Sequence, residues 1–378
     1  MGKSRRICLV VDYYLPRIGG GEVYVSGLAE ELVRRGHSCV VVTSRFNRNL
    51  PISERINGVR VVRVSLPGDS RLWFLLFSLP VIVREARKSD LVQGAGYGGA
   101  LPSFLGAFFA RKPCCLIVYE FMGGLWRNLG VNQVKAVFYQ ITEKLIVSLP
   151  VEYFLALSRY TRNCLRFLGV SDKKLEVAYG GMDETLRQKK DCLIKRPKKD
   201  FPEDCFVFLC YGRAGVSKGI ELFAQAAFFI LQKVPKARFI FIATREHPRI
   251  WQKLLLALRR LPKETYQFFP GQVREKVLEW IRQTNCVVVP SLSEGFGFAA
   301  LEACFLGQGV VATDAGSLPE VICGKHILVK PGSVKALVDG CIKATRGEWQ
   351  QSPWKEFSWS QTASVVERVY QEVLEKWK

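Results

Sequence analysis

The sequence predicts an α/β protein made of two doubly wound, Rossmann-like domains, each with a parallel sheet. The chain has 378 residues, more than a single hydrophobic core usually organises. Short apolar runs alternate with segments of helical periodicity, which is typical of β-α-β units. A charged, proline-containing stretch at 187–204 interrupts this alternation, which then restarts. We therefore expect domains at 1–186 and 205–357, a linker at 187–204 and a final helix at 358–378.

In the first domain, RRICLVVDYYLP is expected to be a buried strand and GEVYVSGLAEELVRRGH a helix that ends at Gly36. With the strand SCVVVTSR they form a right-handed β-α-β unit. The uncharged stretch 91–110 is long enough to span a membrane, but its glycines indicate a strand, a glycine loop and a buried helix. Further strands are expected in GVRVVRVSL, PCCLIVYEF, YFLALS and KLEVAYGGMD, and a short helix in TRNCLRFLG.

The second domain repeats the alternation. Strands are expected in CFVFLCYGR, ARFIFIAT, CVVVPS and GVVATD, and helices in GIELFAQAAFFILQKV, REKVLEWIRQT and LEACFLGQ. Two such sheets place a cleft between the carboxyl ends of their strands, where ligands of open α/β sheets bind.

The composition limits the classes of binding partner and the cellular compartment that we expect for the protein. A formal net charge of +21, spread along the chain, favours nucleotides, phospholipid surfaces or nucleic acid without choosing among them. The 12 cysteines include no C-x-x-C pair and only 3 histidines are present, so we expect free thiols, a cytoplasmic protein and no metal site. The apolar run after the basic start ends at Asp12, which is too short for a signal peptide.

The stretch PSLSEGFGFAALEA gives the clearest indication of a ligand-binding site in the sequence. A strand delivers it to the edge of the second sheet, and a helix is expected to begin near Phe298, so that free amides and glycines can receive a phosphate. Glu294 and Glu302 flank this turn, and carboxylates accept hydrogen bonds from sugar hydroxyls. The alternative is that Glu302 caps helix amides and Glu294 is solvated.

The wider pattern resembles a known family. SLSEGFGFAALEACFLGQGVVATDAGSLPEVI is similar to the E-x7-E signature of retaining GT-B glycosyltransferases of family 4, also called glycosyl transferases group 1. YGRAGVSKGIELFAQA resembles the G-R-x-x-x-x-K-G segment of that family. Three further blocks follow the family order: LPRIGGGEVYVSGLAEELVRRGHSCVVVT, LALSRYTRNCLRFLGVSDKKLEVAYGGMD and FPGQVREKVLEWIRQTNCVVVPS.

The resemblance implies a role for each matching residue. Arg213 and Lys218 would hold the donor diphosphate and stabilise the charge that develops on it, Glu302 would accept from ribose hydroxyls, and Glu294 would contact the donor sugar. The other implied donor contacts are the amides of Phe296, Gly297 and Phe298, and the loop glycines Gly20 and Gly21 that would close over the phosphates. From the residues alone, Arg213 and Lys218 could be solvated loop charges and the two glycines a simple β-α turn.

One position departs from the family pattern. Many relatives place a histidine after the fourth strand, whereas this chain has Tyr119 and Glu120 in CLIVYEFMGGLW. Glu120 is our candidate for the acceptor-side polar group, and an ordinary strand-end carboxylate is the alternative. GAGYGG at 94–99 also fits a dinucleotide fingerprint, but the strand before it is short and three earlier strands precede it.

The expected activity is a GT-B transfer of a sugar from a nucleotide-sugar donor to an acceptor glycan or lipid-linked glycan. The resemblance implies retention of the anomeric configuration by a front-face path, and a final helix that returns to the first domain. No D-x-D motif is present, so no metal or other cofactor is expected. The alternatives are a sugar-nucleotide epimerase on the same fold and a basic nucleic-acid binder, for which no nucleic-acid motif is visible.

A membrane surface is a further candidate partner. SRLWFLLFSLPVIVREARK at 70–88 places apolar residues between Arg71 and the basic residues Arg84, Arg87 and Lys88. Such a segment can lie at an anionic membrane interface, which would make the enzyme peripheral on the cytoplasmic face. The alternative is a buried helix with solvated arginines at its ends.

Overall fold

The computed structural model describes residues 4–17, 19–68, 70–127, 129–182 and 201–377, apart from the side chain of Arg71. The chain divides into two compact units. Unit 1 contains Met1–Trp126, Gln133–Asp183 and Phe357–Lys378, and unit 2 contains Arg127–Asn132 and Glu184–Glu356. Of the predicted linker, residues 187–200 lie outside the described residues.

Unit 1 contains an eight-stranded sheet of order β3-β4-β2-β1-β5-β6-β7-β8. All neighbours are parallel except β3 and β4, which form an antiparallel pair at one edge. The strands are β1 (Arg6–Val10), β2 (Ser38–Ser44), β3 (Ser53–Ile56), β4 (Val59–Val64), β5 (Leu91–Ala95), β6 (Cys114–Val118), β7 (Tyr153–Ala156) and β8 (Leu175–Val177). The central strands are buried on both faces because helices cover them, which explains their continuous apolar runs.

The helices of the first half of unit 1 are α1 (Gly20–Arg34), α2 (Arg71–Arg87), α3 (Gly96–Ala110), α4 (Gln133–Val147) and α5 (Arg159–Phe167). The expected glycine loop after β5 is absent among these residues, because α3 begins directly at Gly96. The left-handed backbone of Gly96, with φ +66°, makes this abrupt strand-to-helix junction possible. The helix α2 continues through Pro80.

Unit 2 contains a seven-stranded sheet of order β11-β10-β9-β12-β13-β14-β15, parallel except for its last pair. The strands are β9 (Phe206–Ala214), β10 (Ala237–Arg245), β11 (Tyr266–Phe269), β12 (Cys286–Val289), β13 (Gly309–Thr313), β14 (Gly324–Val329) and β15 (Gln350–Ser352). The helices are α6 (Ile220–Lys233), α7 (Pro248–Leu258), α8 (Arg274–Gln283), α9 (Phe298–Phe305), α10 (Leu318–Val321) and α11 (Val334–Thr345). The core of unit 2 joins β9, β10 and β12 to α6, α7 and α11.

The helix α12 (Trp359–Lys376) belongs to unit 1 and packs on α1. Its N-terminus is closed by a capping box between Ser358 and Gln361. The ring of Trp359 meets Tyr24 edge-on at 5.7 Å between centroids, and Glu367 accepts from Arg35 at 2.7 Å.

All described cysteines are free thiols. Burial raises the pKa of Cys8, Cys210 and Cys286 well above the usual range, so these thiols stay protonated. They act as small apolar core residues at the places where the sequence predicted strands.

Within the described part of the chain, no helix combines the length and the apolarity that crossing a bilayer requires. The stretch 91–110 consists of β5 and α3, so the predicted strand and helix are present but the glycine loop is not, and α3 is only partly buried because Phe108 and Phe109 are exposed.

Candidate active site

The site of unit 2 is built on three neighbouring strands, β9, β12 and β13, whose loops emerge at one edge of the sheet. These loops pack closely against one another, and at two of their glycines a side chain would collide with a neighbouring backbone oxygen. A Cβ at Gly219 would collide with the carbonyl oxygen of Pro290, and one at Gly316 would collide with that of Glu294. The amide of Ser317 also donates to the Glu294 carbonyl at 3.0 Å. The backbone around Glu294 is therefore held from both sides.

The carboxylate of Glu294 lies at the centre of this arrangement. Lys218 Nζ contacts its two oxygens at 2.8 and 2.9 Å, and Ser291 Oγ donates to it at 3.0 Å. The side chains of Lys218 and Glu294 are 27% and 13% exposed, so neither is an ordinary solvated loop charge. The structure therefore joins two of the residues for which the sequence predicted separate donor contacts.

The second carboxylate, Glu302, lies in the second turn of α9 and is buried. Tyr211 Oη donates to its Oε2 at 2.7 Å, and Arg274 Nη2 contacts its Oε1 at 3.1 Å. The carboxylate thus contacts side chains from β9 and α8 rather than capping the amides of its own helix. Burial, followed by the charge of Glu302, keeps the pKa of Tyr211 well above its usual range, so the phenol remains a neutral donor.

Tyr211 and Arg274 were not among the predicted site residues. The sequence could have indicated Arg274, because it is a cation in the first turn of a helix, α8, where the helix dipole disfavours positive charge. Its buried Nε has no hydrogen-bond partner among the described atoms. Tyr211 gives no comparable signal, since an aromatic residue near the end of a strand is usual.

Arg213 lies at the end of β9, and its guanidinium contacts Glu246 at 2.9 Å. Both side chains are more than one-third exposed. The structure therefore places Arg213 at the same sheet edge as Lys218 but pairs it with an acid that the sequence pattern had not indicated.

The turn before α9 has the predicted form. The helix begins at Phe298, and Gly297 adopts φ +95°, a conformation that side chains disfavour. Phe296 is buried and packs edge-on against Phe298 at 4.9 Å. No side chain caps the helix through Gly297, so the start of the helix can receive an anion at its first-turn amides.

In unit 1, the loop glycines meet Tyr119. A Cβ at Gly21 would lie 2.6 Å from the Tyr119 ring, whose hydroxyl donates to the Gly21 carbonyl at 3.3 Å. Gly20 begins α1 and is exposed. Close approach of an aromatic ring is thus one physical reason for glycine at position 21.

Glu120 follows β6 and is half-buried. Burial, then Cys164 and the charge of Glu120, raise the pKa of Tyr160 in α5 to about 12. Asp12, which follows β1, is a further carboxylate of unit 1 and was not predicted as a site residue. Its charge adds to the effects of burial and of Glu22, which come first, and together they hold the pKa of Tyr119 well above its usual range.

The glycines of GAGYGG are explained by packing. A Cβ at Gly98 would collide with Asp12, and one at Gly99 would collide with the Val10 carbonyl. Glycine lets α3 pack directly on β1, so the pattern needs no dinucleotide to account for it.

Within the described residues, no three His, Cys, Asp or Glu side chains come together in a way that could hold a metal ion. The positive groups near the Glu294 turn belong instead to Lys218, Arg213 and Arg274.

Two family models match almost the whole chain between them. Residues 18–186 match the model described as Glycosyltransferase Family 4, and residues 193–358 match the model described as Glycosyl transferases group 1. The chain belongs to glycosyltransferase family 4. This family-4 enzyme therefore transfers sugars, as the motif blocks predicted, and the comparisons support transfer over the epimerase and nucleic-acid alternatives.

Curated relatives of the family-4 enzyme are similar over nearly their full length or most of it. An uncharacterized glycosyltransferase of Methanocaldococcus jannaschii is 25% identical over 98% of this chain and 99% of its own. A phosphatidylinositol N-acetylglucosaminyltransferase component of Homo sapiens is 26% identical over 90% of this chain and 69% of its own. A D-inositol 3-phosphate glycosyltransferase of Thermomonospora curvata is 24% identical over 85% and 79%.

Solved structures share the fold of the family-4 enzyme. Sucrose-phosphate synthase from Thermosynechococcus elongatus gives a TM-score of 0.74 at 18% identity, covering 98% of this chain and 97% of that one. Anabaena HepE in complex with UDP-glucose gives 0.69 at 17% identity, covering 98% and 99%. The fold is GT-B, with two Rossmann-like domains, which confirms the predicted fold class.

Proposed function

We propose that this glycosyltransferase uses a nucleotide-sugar donor and transfers the sugar with retention of anomeric configuration. The observation that carries the proposal is the contact between Lys218 and Glu294 beside the start of α9. The N-cap residue of this helix is Gly297, so no N-cap side chain occupies its first amides. A cation, a carboxylate and helix-start amides at one strand edge suit a sugar linked to a diphosphate.

In the proposed donor site, the two carboxylates bind different parts of the donor: Glu294 binds the sugar and Glu302 binds the ribose. Lys218 and Arg213 neutralise the diphosphate, and the amides of Phe296, Gly297 and Phe298 bind its oxygens or the sugar. When phosphate attracts Lys218, the Glu294 oxygens become available to sugar hydroxyls. A carboxylate has about four lone-pair positions, so Glu302 can keep Tyr211 and Arg274 while it accepts from a ribose hydroxyl.

Tyr211 and Arg274 act in this proposal as positioning residues for Glu302. Their contacts at 2.7 and 3.1 Å fix the plane of the carboxylate from two sides. A carboxylate that is oriented before the donor arrives loses less conformational entropy when it binds.

The proposed chemistry takes place on one face of the sugar. The bond from C1 to the leaving phosphate oxygen breaks, and the acceptor oxygen bonds to C1 on the same face. The acceptor proton passes to the leaving phosphate, and Lys218 and Arg213 stabilise the charge there. Gly20 and Gly21 take part in binding the donor phosphates in this proposal, and Glu120 binds the acceptor. No metal or other cofactor takes part in this proposal.

The proposed acceptor is a glycan or a lipid-linked glycan, and the proposed location is the cytoplasmic face of a membrane. One relative is named for transfer to phosphatidylinositol, which supports a lipid acceptor. Nucleic acid is not a partner in this proposal.

The test begins with thermal unfolding of the full chain against a panel of nucleotide sugars, with UDP-glucose included because HepE binds it. A donor at about 100 times its Kd stabilises the protein by roughly 2.7 kcal/mol. The stabilising donor is then incubated with and without candidate acceptors, and the anomeric configuration of the product is read by NMR. Conversion of the donor without an acceptor would indicate an epimerase, and an inverted product would contradict the retaining mechanism.

A further inference from the structure

Three neighbouring helices of unit 1, α2, α3 and α4, expose large apolar side chains. We call this surface the α2–α4 face. Its side chains are between 38% and 77% exposed. They are Leu72, Trp73, Leu76, Phe77, Leu101, Phe108, Phe109, Val134, Val137, Phe138, Ile141 and Leu145. Scattered exposed apolar residues are normal, but a run of them over three adjacent helices indicates an interaction surface.

The helix α4 shows that this exposure is systematic. Val134, Phe138, Ile141 and Leu145 recur at the spacing of one helical face, yet that face is exposed. The opposite face is buried and includes a glutamate, Glu143. Apolar side chains therefore lie on both faces of α4, and its one acidic residue is on the buried face.

The acidic residues of these helices are turned inward. Glu143 accepts from Tyr97 Oη at 2.6 Å and from Trp126 Nε1 at 2.9 Å. Glu85 is buried and accepts from Arg60 at 2.8 Å. Among the described side chains of the three helices, the exposed charges are all positive: Arg84, Arg87, Lys135 and Lys144.

A depression of about 530 Å³ lies in the same surface, where α2 meets the end of α3. Its walls combine apolar groups with three cations, Arg84, Arg87 and Lys88. The apolar part of the wall consists of Leu79, Pro80, Val83 and Phe109. This combination suits a phosphate attached to hydrocarbon, because the cations attract the phosphate and the apolar wall contacts the chains.

We infer that the α2–α4 face lies on an anionic phospholipid bilayer, with a lipid phosphate in the depression beside Arg84, Arg87 and Lys88. The inference deepens the proposed function, because it names the membrane partner and extends the contact beyond the segment 70–88. Apolar side chains enter the acyl region, and the surrounding cations lie among the headgroups.

The charge pattern also selects between occupants of this face. A second copy of the chain would bring like charges against like charges in a symmetric dimer, which is unfavourable. An anionic bilayer offers both a hydrocarbon layer and opposite charge, so it matches the apolar and the cationic parts of the face together.

The experiment is flotation of the full chain with vesicles of phosphatidylcholine alone or mixed with phosphatidylserine. We expect binding only to the mixture, weakening as salt rises. Each basic residue near an anionic surface contributes roughly fivefold to partitioning, so R84Q/R87Q/K88Q should lower binding by about a hundredfold. The variant F138S/L145S should also lower binding, because burial of apolar side chains adds to the affinity.

Matched controls lie in unit 2. K335Q/K343Q/R346Q removes three exposed cations, and F229S/L256S removes two exposed apolar side chains, none of which belongs to the α2–α4 face. Both controls should bind vesicles as the wild type does. Circular dichroism melting of each variant shows whether it is folded.

Four results would overturn the inference, and the last is the absence of flotation with either kind of vesicle. The other three are equal flotation with both kinds of vesicle, loss of binding in the controls as large as in the face variants, and a wild-type dimer that F138S/L145S converts to a monomer. Donor-induced thermal stabilisation is read without vesicles in every variant. If the donor fails to stabilise the protein while flotation is normal, the proposed donor function is contradicted. If the donor stabilises the protein but no flotation occurs, only the membrane contact is contradicted.

Discussion

Lys218 and Glu294 are 76 positions apart in the chain, and their side chains meet at 2.8 Å. The contact is made because β9 and β12 are neighbours in the sheet and their loops leave the same edge. Glu294 is therefore charge-compensated before any ligand arrives. A phosphate that binds to Lys218 changes the partner of this carboxylate, which couples recognition of the diphosphate to recognition of the sugar.

The first prediction concerns this pair. Replacing Lys218 by Met removes a group that stabilises negative charge on the leaving phosphate, so turnover should fall on the order of 10²-fold, by analogy with the loss of one oxyanion donor. The measurement is kcat at saturating donor. Lys325, an exposed cation on β14, provides the control K325M, which should retain normal turnover. Wild-type turnover in K218M would remove Lys218 from the chemistry.

The second prediction concerns the hydroxyl of Tyr211. Y211F deletes a hydrogen bond of 2.7 Å to Glu302, and hydrogen bonds to charged groups contribute about 1.5–3 kcal/mol. We expect the donor KM to rise about tenfold or more, with a smaller effect on kcat, because the tyrosine acts through Glu302. Y266F, in the same unit, is the control. An unchanged KM in Y211F would show that Glu302 needs no such orientation.

The third prediction concerns Arg274. R274Q leaves the buried Glu302 carboxylate without its cationic partner, so the donor KM should rise and the free energy of unfolding should fall, by roughly 1–3 kcal/mol. R274K should restore part of both quantities, because it returns the charge without the planar guanidinium. Equal behaviour of R274Q and R274K would mean that the charge at this position has no role.

The fourth prediction concerns metal removal. The diphosphate has Lys218, Arg213 and helix amides available for neutralisation, so transfer should continue in EDTA at its normal rate. The measurement compares initial rates after dialysis against chelator, with and without added Mg²⁺ or Mn²⁺. Activity that disappears with EDTA and returns with either ion would contradict this account of the phosphate site.

The fifth prediction concerns packing in unit 1. G21A places a methyl group 2.6 Å from the Tyr119 ring, and overpacking of this kind usually costs about 1–3 kcal/mol. Urea denaturation should show that loss of stability. A Cβ added at Gly124 would meet no atom within 4 Å, and the backbone there is ordinary, so G124A is the matched control and should be nearly neutral. Equal stability of both variants would show that the Tyr119 ring moves aside freely.

The sequence predicted the parts of the fold that depend on local pattern. The start of α9 at Phe298 follows from glycine before a helical apolar run, and the buried strands follow from short β-branched runs. The edge strand β3, Ser53–Ile56, has no apolar signature and is stabilised by its pairing with β4, so local pattern could not reveal it.

Long-range contacts limited the prediction of the site. The motif blocks indicated Lys218, Glu294 and Glu302, but the partners of Glu302 come from separate strands and helices that only the folded sheet brings together. The helix α4 escaped prediction for another reason. Its periodicity is visible, yet periodicity does not tell which face is inside, and here the polar Glu143 is inside.

The position of α12 has a consequence for how the protein is made. A Cβ at Gly27 in α1 would collide with Trp359, so α1 is shaped to receive a helix that the ribosome synthesises last among the described elements. The partners of Tyr24 and Arg35 leave the exit tunnel only after all of unit 2 has been translated, an interval of roughly 10–40 s at ordinary elongation rates. Nascent unit 1 therefore lacks these contacts throughout that interval, and the part of α1 that receives Trp359 stays uncovered until α12 emerges.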